Sequence, residues 1–142
     1  MPSTEKMIES LFERDPRRCV AAALEAAAHV SGVWPDAFGS NPTLREALAE
    51  GQKALLSGSL PNSSIEASIM FRATGGNHAA AAARDSAVAA LGALYALLHP
   101  EIHPKGVILS GTLYAFRHAK SALPGEAAWQ RKLIEDYLAQ TR

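Results

Sequence analysis

Apolar residues recur along the chain at intervals of three and four positions, which is the spacing of one face of an α-helix. Short segments rich in proline, glycine, serine and asparagine separate these stretches. Alternation of β-branched and polar residues, which would indicate strands, forms no comparable pattern. The sequence therefore predicts an all-α fold, a single-domain bundle of about six to seven helices over residues 1–142.

Capping residues mark where these helices begin. Asp15-Pro16 and Asn41-Pro42 each place an N-cap residue before a proline at the first helical position, where no N–H donor is needed. Ser63 and Glu66 have the spacing of a capping box. Helices are predicted to begin near residues 4, 16, 42, 64, 78 and 105, with a last one after residue 125.

The stretch from His78 to Leu98 is the longest predicted helix and is apolar or small on nearly every side. Alanine makes up about a fifth of the chain and collects in such runs. Alanine favours helices, and its small side chain lets neighbouring backbones approach closely. We therefore expect this Ala-rich helix at the centre of the bundle. Arg84 and Asp85 interrupt its apolar run, so a core helix is predicted rather than a membrane span.

Two further helices have a predicted inner face. The last helix is expected to pack through Trp129, Leu133 and Tyr137, which follow helical spacing. The inner stripe predicted for the second helix is Cys19, Val20, Ala23, Leu24, Ala27 and Val30.

Composition and charge narrow the class of protein. Fourteen basic residues balance fourteen acidic ones, and this balance counts against a nucleic-acid binder, which usually has a basic surplus. The single cysteine, Cys19, excludes a disulfide within the chain and indicates a reducing, cytoplasmic compartment. It is predicted to be a small buried side chain rather than a nucleophile. The first residues lack the pattern of a signal peptide, so none is expected.

One polar group falls on the predicted central helix. His78 lies near its start, and Arg84 and Asp85 lie about two turns further on. Buried charges must be paired or must reach a cleft, because an unpaired one costs several kcal/mol. With Tyr95, these residues form a predicted ligand-binding pocket. The alternative is a structural ion pair or a solvated edge.

Two loop histidines are the alternative site for a metal. His99 and His103 stand four residues apart, but prolines flank them, and a zinc site needs a third and usually a fourth ligand. The other interpretation is that they lie at helix ends, where a histidine near a C-terminus is favoured by the helix dipole. We predict no metal and no cofactor.

Arg72 and His78 suggest an alternative catalytic pair. Five residues separate them, which resembles the arginine-to-histidine spacing of metal-independent HEPN ribonucleases, a class of all-α enzymes. The resemblance implies RNA cleavage by these two residues. The Gly75-Gly76 break, and the residue that follows Arg72, depart from the usual pattern of that class.

A second resemblance implies a binding role. The helix start Pro42–Leu48, the stop at Leu55–Gly58 and His78 with its alanine run resemble the Imm-5-like immunity domains of bacteria over about residues 40–98. Those domains are small helical proteins that neutralise a toxin by binding it. The resulting hypothesis is a non-enzymatic cytoplasmic protein whose partner is another protein, with no role at a membrane. The chain could also form a homodimer through Trp34, Phe38 and Phe71, although core packing of these aromatic residues is the alternative.

Overall fold

The computed structural model describes residues 2–33, 43–58 and 78–140. In these ranges 87% of the residues are helical and no strand occurs, which confirms the all-α bundle. The helix predicted near residue 64 lies outside the described residues, as do Asn41, Arg72 and the aromatic residues Trp34, Phe38 and Phe71. The described helices are α1 (Thr4–Arg14), α2 (Pro16–Val30), α3 (Thr43–Ser57), α4 (His78–Leu98), α5 (Gly106–Ala122) and α6 (Glu126–Gln140), with a 3-10 turn over Ser31–Val33 after α2.

Local capping explains where several of these helices begin and end. The Ser3 side chain accepts a hydrogen bond of 3.2 Å from a backbone N–H of the first turn of α1. Asp15 accepts from two backbone N–H groups at 3.1 and 3.4 Å, and Pro16 is the first residue of α2, as predicted. Gly58 after α3 and Gly125 before α6 have φ of +75° and +76°, values that glycine adopts without steric cost.

The hydrophobic core surrounds α2, which contacts each of the other five described helices. All six residues of its predicted inner stripe are fully buried. Alanines at the remaining inner positions keep α2 thin, so several helices can pack around it at short range. The Ala-rich helix α4 shares this central position, since His78 is the only one of its residues that is exposed.

The two helices α4 and α5 form an antiparallel hairpin. The hydroxyl of Ser86 donates to the carbonyl of Ala115 across it at 2.7 Å, and both residues are buried. By length and composition alone, α4 is apolar enough to cross a membrane. Core helices of soluble proteins also meet this criterion of length and composition, and half of the apolar stretch of α4 is buried inside the protein.

Helix α6 packs on the bundle through a more polar line than the sequence suggested. Its fully buried residues are Glu126, Gln130 and Ile134, spaced four apart. Trp129, Leu133 and Tyr137 flank this line and are half-buried against the core. The amide of Gln130 donates to the carbonyl of Phe116 at 2.8 Å, which satisfies its buried polar group.

Candidate functional site

An open groove lies between the second half of α4 and the first half of α5. Its volume is about 580 Å³, which falls in the range of ligand-binding clefts. Two other cavities measure about 220 and 320 Å³. The residues that line the α4–α5 groove are Ala89, Gly92, Tyr95, His99, His103, Val107, Ser110, Gly111 and Tyr114.

Small residues form the floor of the α4–α5 groove. A Cβ atom placed on Gly111 would lie 2.9 Å from the Cβ of Ala93 and 3.1 Å from the carbonyl oxygen of Ala89, so glycine is required for the two backbones to approach this closely. A Cβ placed on Gly92 would meet no atom within 4 Å. Gly92 therefore leaves an open notch in α4, beside the point where α4 and α5 come together.

The rim of the groove carries exposed apolar side chains. Tyr114 is 52% exposed and Val107 is 38% exposed, and Ile102 in the adjoining loop is 68% exposed. Leu56 on α3 is the only other exposed large hydrophobic residue in the part of the chain that the structure describes. A concentration of such residues around one concave surface is typical of an interaction site.

Neighbouring side chains hold the ring of Tyr114 in place. The guanidinium of Arg117 lies 5.5 Å from the centre of this ring, close enough for a cation–π interaction. The centre of the His118 ring lies 6.4 Å from the centre of the Tyr114 ring, with the two planes 26° apart. Arg117 is itself anchored by an ion pair of 3.0 Å with Glu5 of α1. Tyr114 is thus a projecting side chain whose conformation is restricted before anything binds.

Polar groups occupy the loop end of the groove. A hydrogen bond of 3.0 Å joins His99 Nδ1 to the carboxylate of Glu101. A backbone hydrogen bond and this bond with His99 lower the pKa of Glu101. His103 faces the same end of the groove. The groove therefore offers both hydrogen-bonding and apolar contacts.

The predicted ligand-binding residues lie at different places along α4. Tyr95 lines the groove, together with the two loop histidines. His78 is exposed at the start of α4, about 25 Å away along the helix axis. Arg84 and Asp85 form an ion pair of 3.1 Å between these points. The fold thus brings Tyr95 close to His99 and His103, which the sequence had placed in a different candidate site.

The alternative metal site has no complete set of ligands among the described residues, and one member of the alternative catalytic pair lies outside them. No group of three or more histidine, cysteine, aspartate or glutamate side chains is placed to hold a metal ion in ranges 2–33, 43–58 and 78–140. Arg72 lies outside these ranges, so its position relative to His78 is not described.

A second polar cluster, which sequence reasoning missed, joins the end of α2 to the start of α6. Glu126 is only 2% exposed, and its carboxylate is joined to His29 Nδ1 by a hydrogen bond of 2.8 Å. The His29 ring stacks on Trp129, with ring centres 3.6 Å apart and planes within 3° of parallel. Burial raises the pKa of Glu126, while His29 acts in the opposite direction.

The His29–Glu126–Trp129 cluster has the character of a structural link. Neither His29 nor Glu126 lines any of the three cavities described above. The flat contact with Trp129 covers one face of the His29 ring. The sequence offered one clue, since Glu126 follows the Leu123–Gly125 break at a helix start, where the dipole favours a carboxylate. Its burial could not be read from that position.

Comparison with known proteins adds nothing to this description. No protein-family model matches the chain, and no curated protein or solved structure is significantly similar to it. The resemblance to Imm-5-like immunity domains and the one to HEPN ribonucleases both stay predictions.

Proposed function

We propose that this chain is a non-enzymatic binding protein that recognises a protein partner at the α4–α5 groove. An immunity-type role, in which the partner is neutralised by contact alone, is the specific form of this proposal. The observation that carries it is the combination of an open notch at Gly92 with exposed apolar side chains around it.

The composition of the groove favours a protein as the partner. Binding energy at protein interfaces comes mostly from a few aromatic or arginine residues surrounded by contacts that exclude water. Tyr114, backed by Arg117, fits this description, and Val107, which lines the same groove, adds exposed apolar surface. A partner side chain that enters the open space over Gly92 would lie close to the α4 backbone, in the cavity that Tyr95 and Tyr114 also line.

A small-ligand module is the second candidate, and the groove volume favours it. A cleft of about 580 Å³ is large enough for a small molecule with an apolar body. His99 and His103 would then supply the orienting polar contacts, and the ring of Tyr95 an apolar one. The two candidates differ in a simple measurement, because a thermal-shift screen with small molecules would give hits only if a ligand of that class binds.

The test uses a substitution that fills the notch without disturbing the fold. In Gly92→Leu the new side chain points into open space, and leucine favours the helix by close to 1 kcal/mol over glycine. The matched control is Ala128→Leu, which adds the same side chain at an exposed position of α6 outside the groove. Both variants should melt no lower than the wild type.

Binding is then measured against the products of neighbouring genes by calorimetry. We expect one of them to bind the wild type and Ala128→Leu equally, and Gly92→Leu about thirtyfold more weakly, a loss of about 2 kcal/mol that corresponds to a single interface hot spot. If the wild type and both variants bind equally, the recognition surface lies outside the groove. Failure of every neighbouring product to bind would contradict the immunity-type role. An assay for RNA cleavage, with His78→Ala as the comparison, tests the ribonuclease alternative.

A further inference from the structure

The α4–α5 groove has a projecting side chain and a notch on one surface. Tyr114 projects from α5, and the open space over Gly92 lies across the hairpin, with both residues lining the same cavity. A surface that carries both features can pair with a copy of itself. A two-fold axis midway between them places each Tyr114 over the Gly92 of the other copy, so that two identical contacts form at once.

We propose that, in the absence of its protein partner, the groove is occupied by a second copy of this chain. The hairpins α4–α5 of the two copies pack face to face, with Tyr114 of each copy inserted in the notch of the other. This inference rests on the proposed function, because it takes the groove to be a protein-binding surface. It adds that self-association and partner binding exclude each other.

The charges of the chain permit such pairing. The formal net charge is +0, so two copies do not repel each other over long distances. Of the residues that line the groove, His99 and His103 are the ones that can carry a positive charge and none is a carboxylate; His99 pairs with Glu101 within each copy. Few unpaired like charges would therefore meet across a two-fold axis.

The size of the surface sets the strength of the expected contact. Helix α5 has 17 residues, so the hairpin face is about 25 Å long, and two helices side by side are about 20 Å wide. This amounts to roughly 500 Å² per copy, compared with about 800 Å² per partner in a standard stable interface. The dimer is therefore weak and reversible, and a partner with a larger contact surface displaces the second copy.

The first experiment measures oligomeric state by sedimentation over a roughly hundredfold range of concentration. The wild type should shift from monomer to dimer across this range. Gly92→Leu fills the notch and Tyr114→Ala removes the projecting ring, so each variant should raise the dissociation constant about tenfold or more. The control Leu56→Ala changes an exposed residue on α3, outside the groove, and should dimerise like the wild type.

The second experiment mixes the two impaired variants, each carrying a different fluorophore. In a mixed dimer, Tyr114 of the Gly92→Leu copy meets an intact notch, and the filled notch meets the truncated side chain at position 114. Energy transfer between the fluorophores should therefore recover toward the wild-type level, although each variant by itself associates more weakly than the wild type. This recovery is specific to a pairing of position 92 with position 114.

The outcomes separate this inference from the proposed function. A wild type that stays monomeric at every concentration, or a mixture that shows no recovery, overturns the dimer. If in either case Gly92→Leu still weakens partner binding, the recognition surface stands without self-association. If the dimer forms as described and Gly92→Leu leaves partner binding unchanged, the dimer stands and the proposed function at this groove fails.

Discussion

The same substitution at Gly92 and Gly111 should change stability in opposite directions. Both glycines lie inside helices and both line the α4–α5 groove. A methyl group at Gly92 meets nothing within 4 Å, whereas one at Gly111 meets the Cβ of Ala93 at 2.9 Å and the carbonyl oxygen of Ala89 at 3.1 Å. Neither of these atoms can move by a side-chain rotation, so the two helices must separate.

The magnitudes follow from two terms. Replacing glycine by alanine inside a helix stabilises the protein by about 0.5–1 kcal/mol, because the unfolded chain loses conformational freedom. This gain is common to both variants. At Gly111 the clash adds a cost of about 1–3 kcal/mol, which is typical of overpacking. Gly92→Ala should therefore be more stable than the wild type, and Gly111→Ala should be less stable than Gly92→Ala by roughly 1–3 kcal/mol.

Urea unfolding followed by circular dichroism at the helix band measures both variants. Their comparison isolates the clash, because the helix-propensity term cancels in the difference. The measurement is made at low protein concentration, where the proposed dimer is dissociated. Equal stabilities of the two variants, or a more stable Gly111→Ala, would show that α4 and α5 do not approach as closely as the structure has them.

Three further predictions concern the core. Ala87→Leu should cost about 1–3 kcal/mol by overpacking, since Ala87 is fully buried, and a melting curve that matches the wild type would contradict this placement of α4. Cys19 is fully buried, and desolvation raises its pKa to about 11. A thiol reagent should therefore label Cys19 only after unfolding. Rapid labelling of the native protein would show that the thiol is accessible. Burial also raises the pKa of Glu126 above its ordinary 4.5. The stabilisation that the Glu126 carboxyl contributes is therefore present below pH 4.5 and is lost as the pH rises through its pKa in the folded protein. Compared with Glu126→Gln, the wild type should therefore lose unfolding free energy as the pH rises above 4.5, and a gain relative to that variant would refute the reasoning.

Only part of the candidate site could be predicted from the sequence. The sequence analysis singled out Tyr95 as a residue of the predicted pocket on the Ala-rich helix, and His99 and His103 for their four-residue spacing as possible metal ligands. That they face one groove depends on the return of α5 alongside α4, which no local signal specifies. Tyr114 and Gly92 drew no attention, since a tyrosine and a glycine inside helical patterns have no chemical signature of their own.

Glu126 shows why a buried polar cluster escapes sequence reasoning. Its position at a helix start is compatible with a solvated carboxylate, and His29 lies 97 residues away along the chain. Only the packing of α6 against α2 brings the two side chains to 2.8 Å and places Trp129 flat on the imidazole ring. The sequence predicted that α6 packs through Trp129, Leu133 and Tyr137, and it gave no indication that Glu126 is buried beside them.

What the sequence determined by itself is the set of helices and several of their inner faces. Spacing of apolar residues and capping at Ser3 and Asp15 act within a few residues of chain, so they can be read without knowledge of the partners of each helix. The tertiary structure decided how the helices meet. The glycine at 111 becomes a close contact and the glycine at 92 an open notch only because α4 and α5 pack together in one register, and this register depends on the volumes of side chains that are distant in sequence.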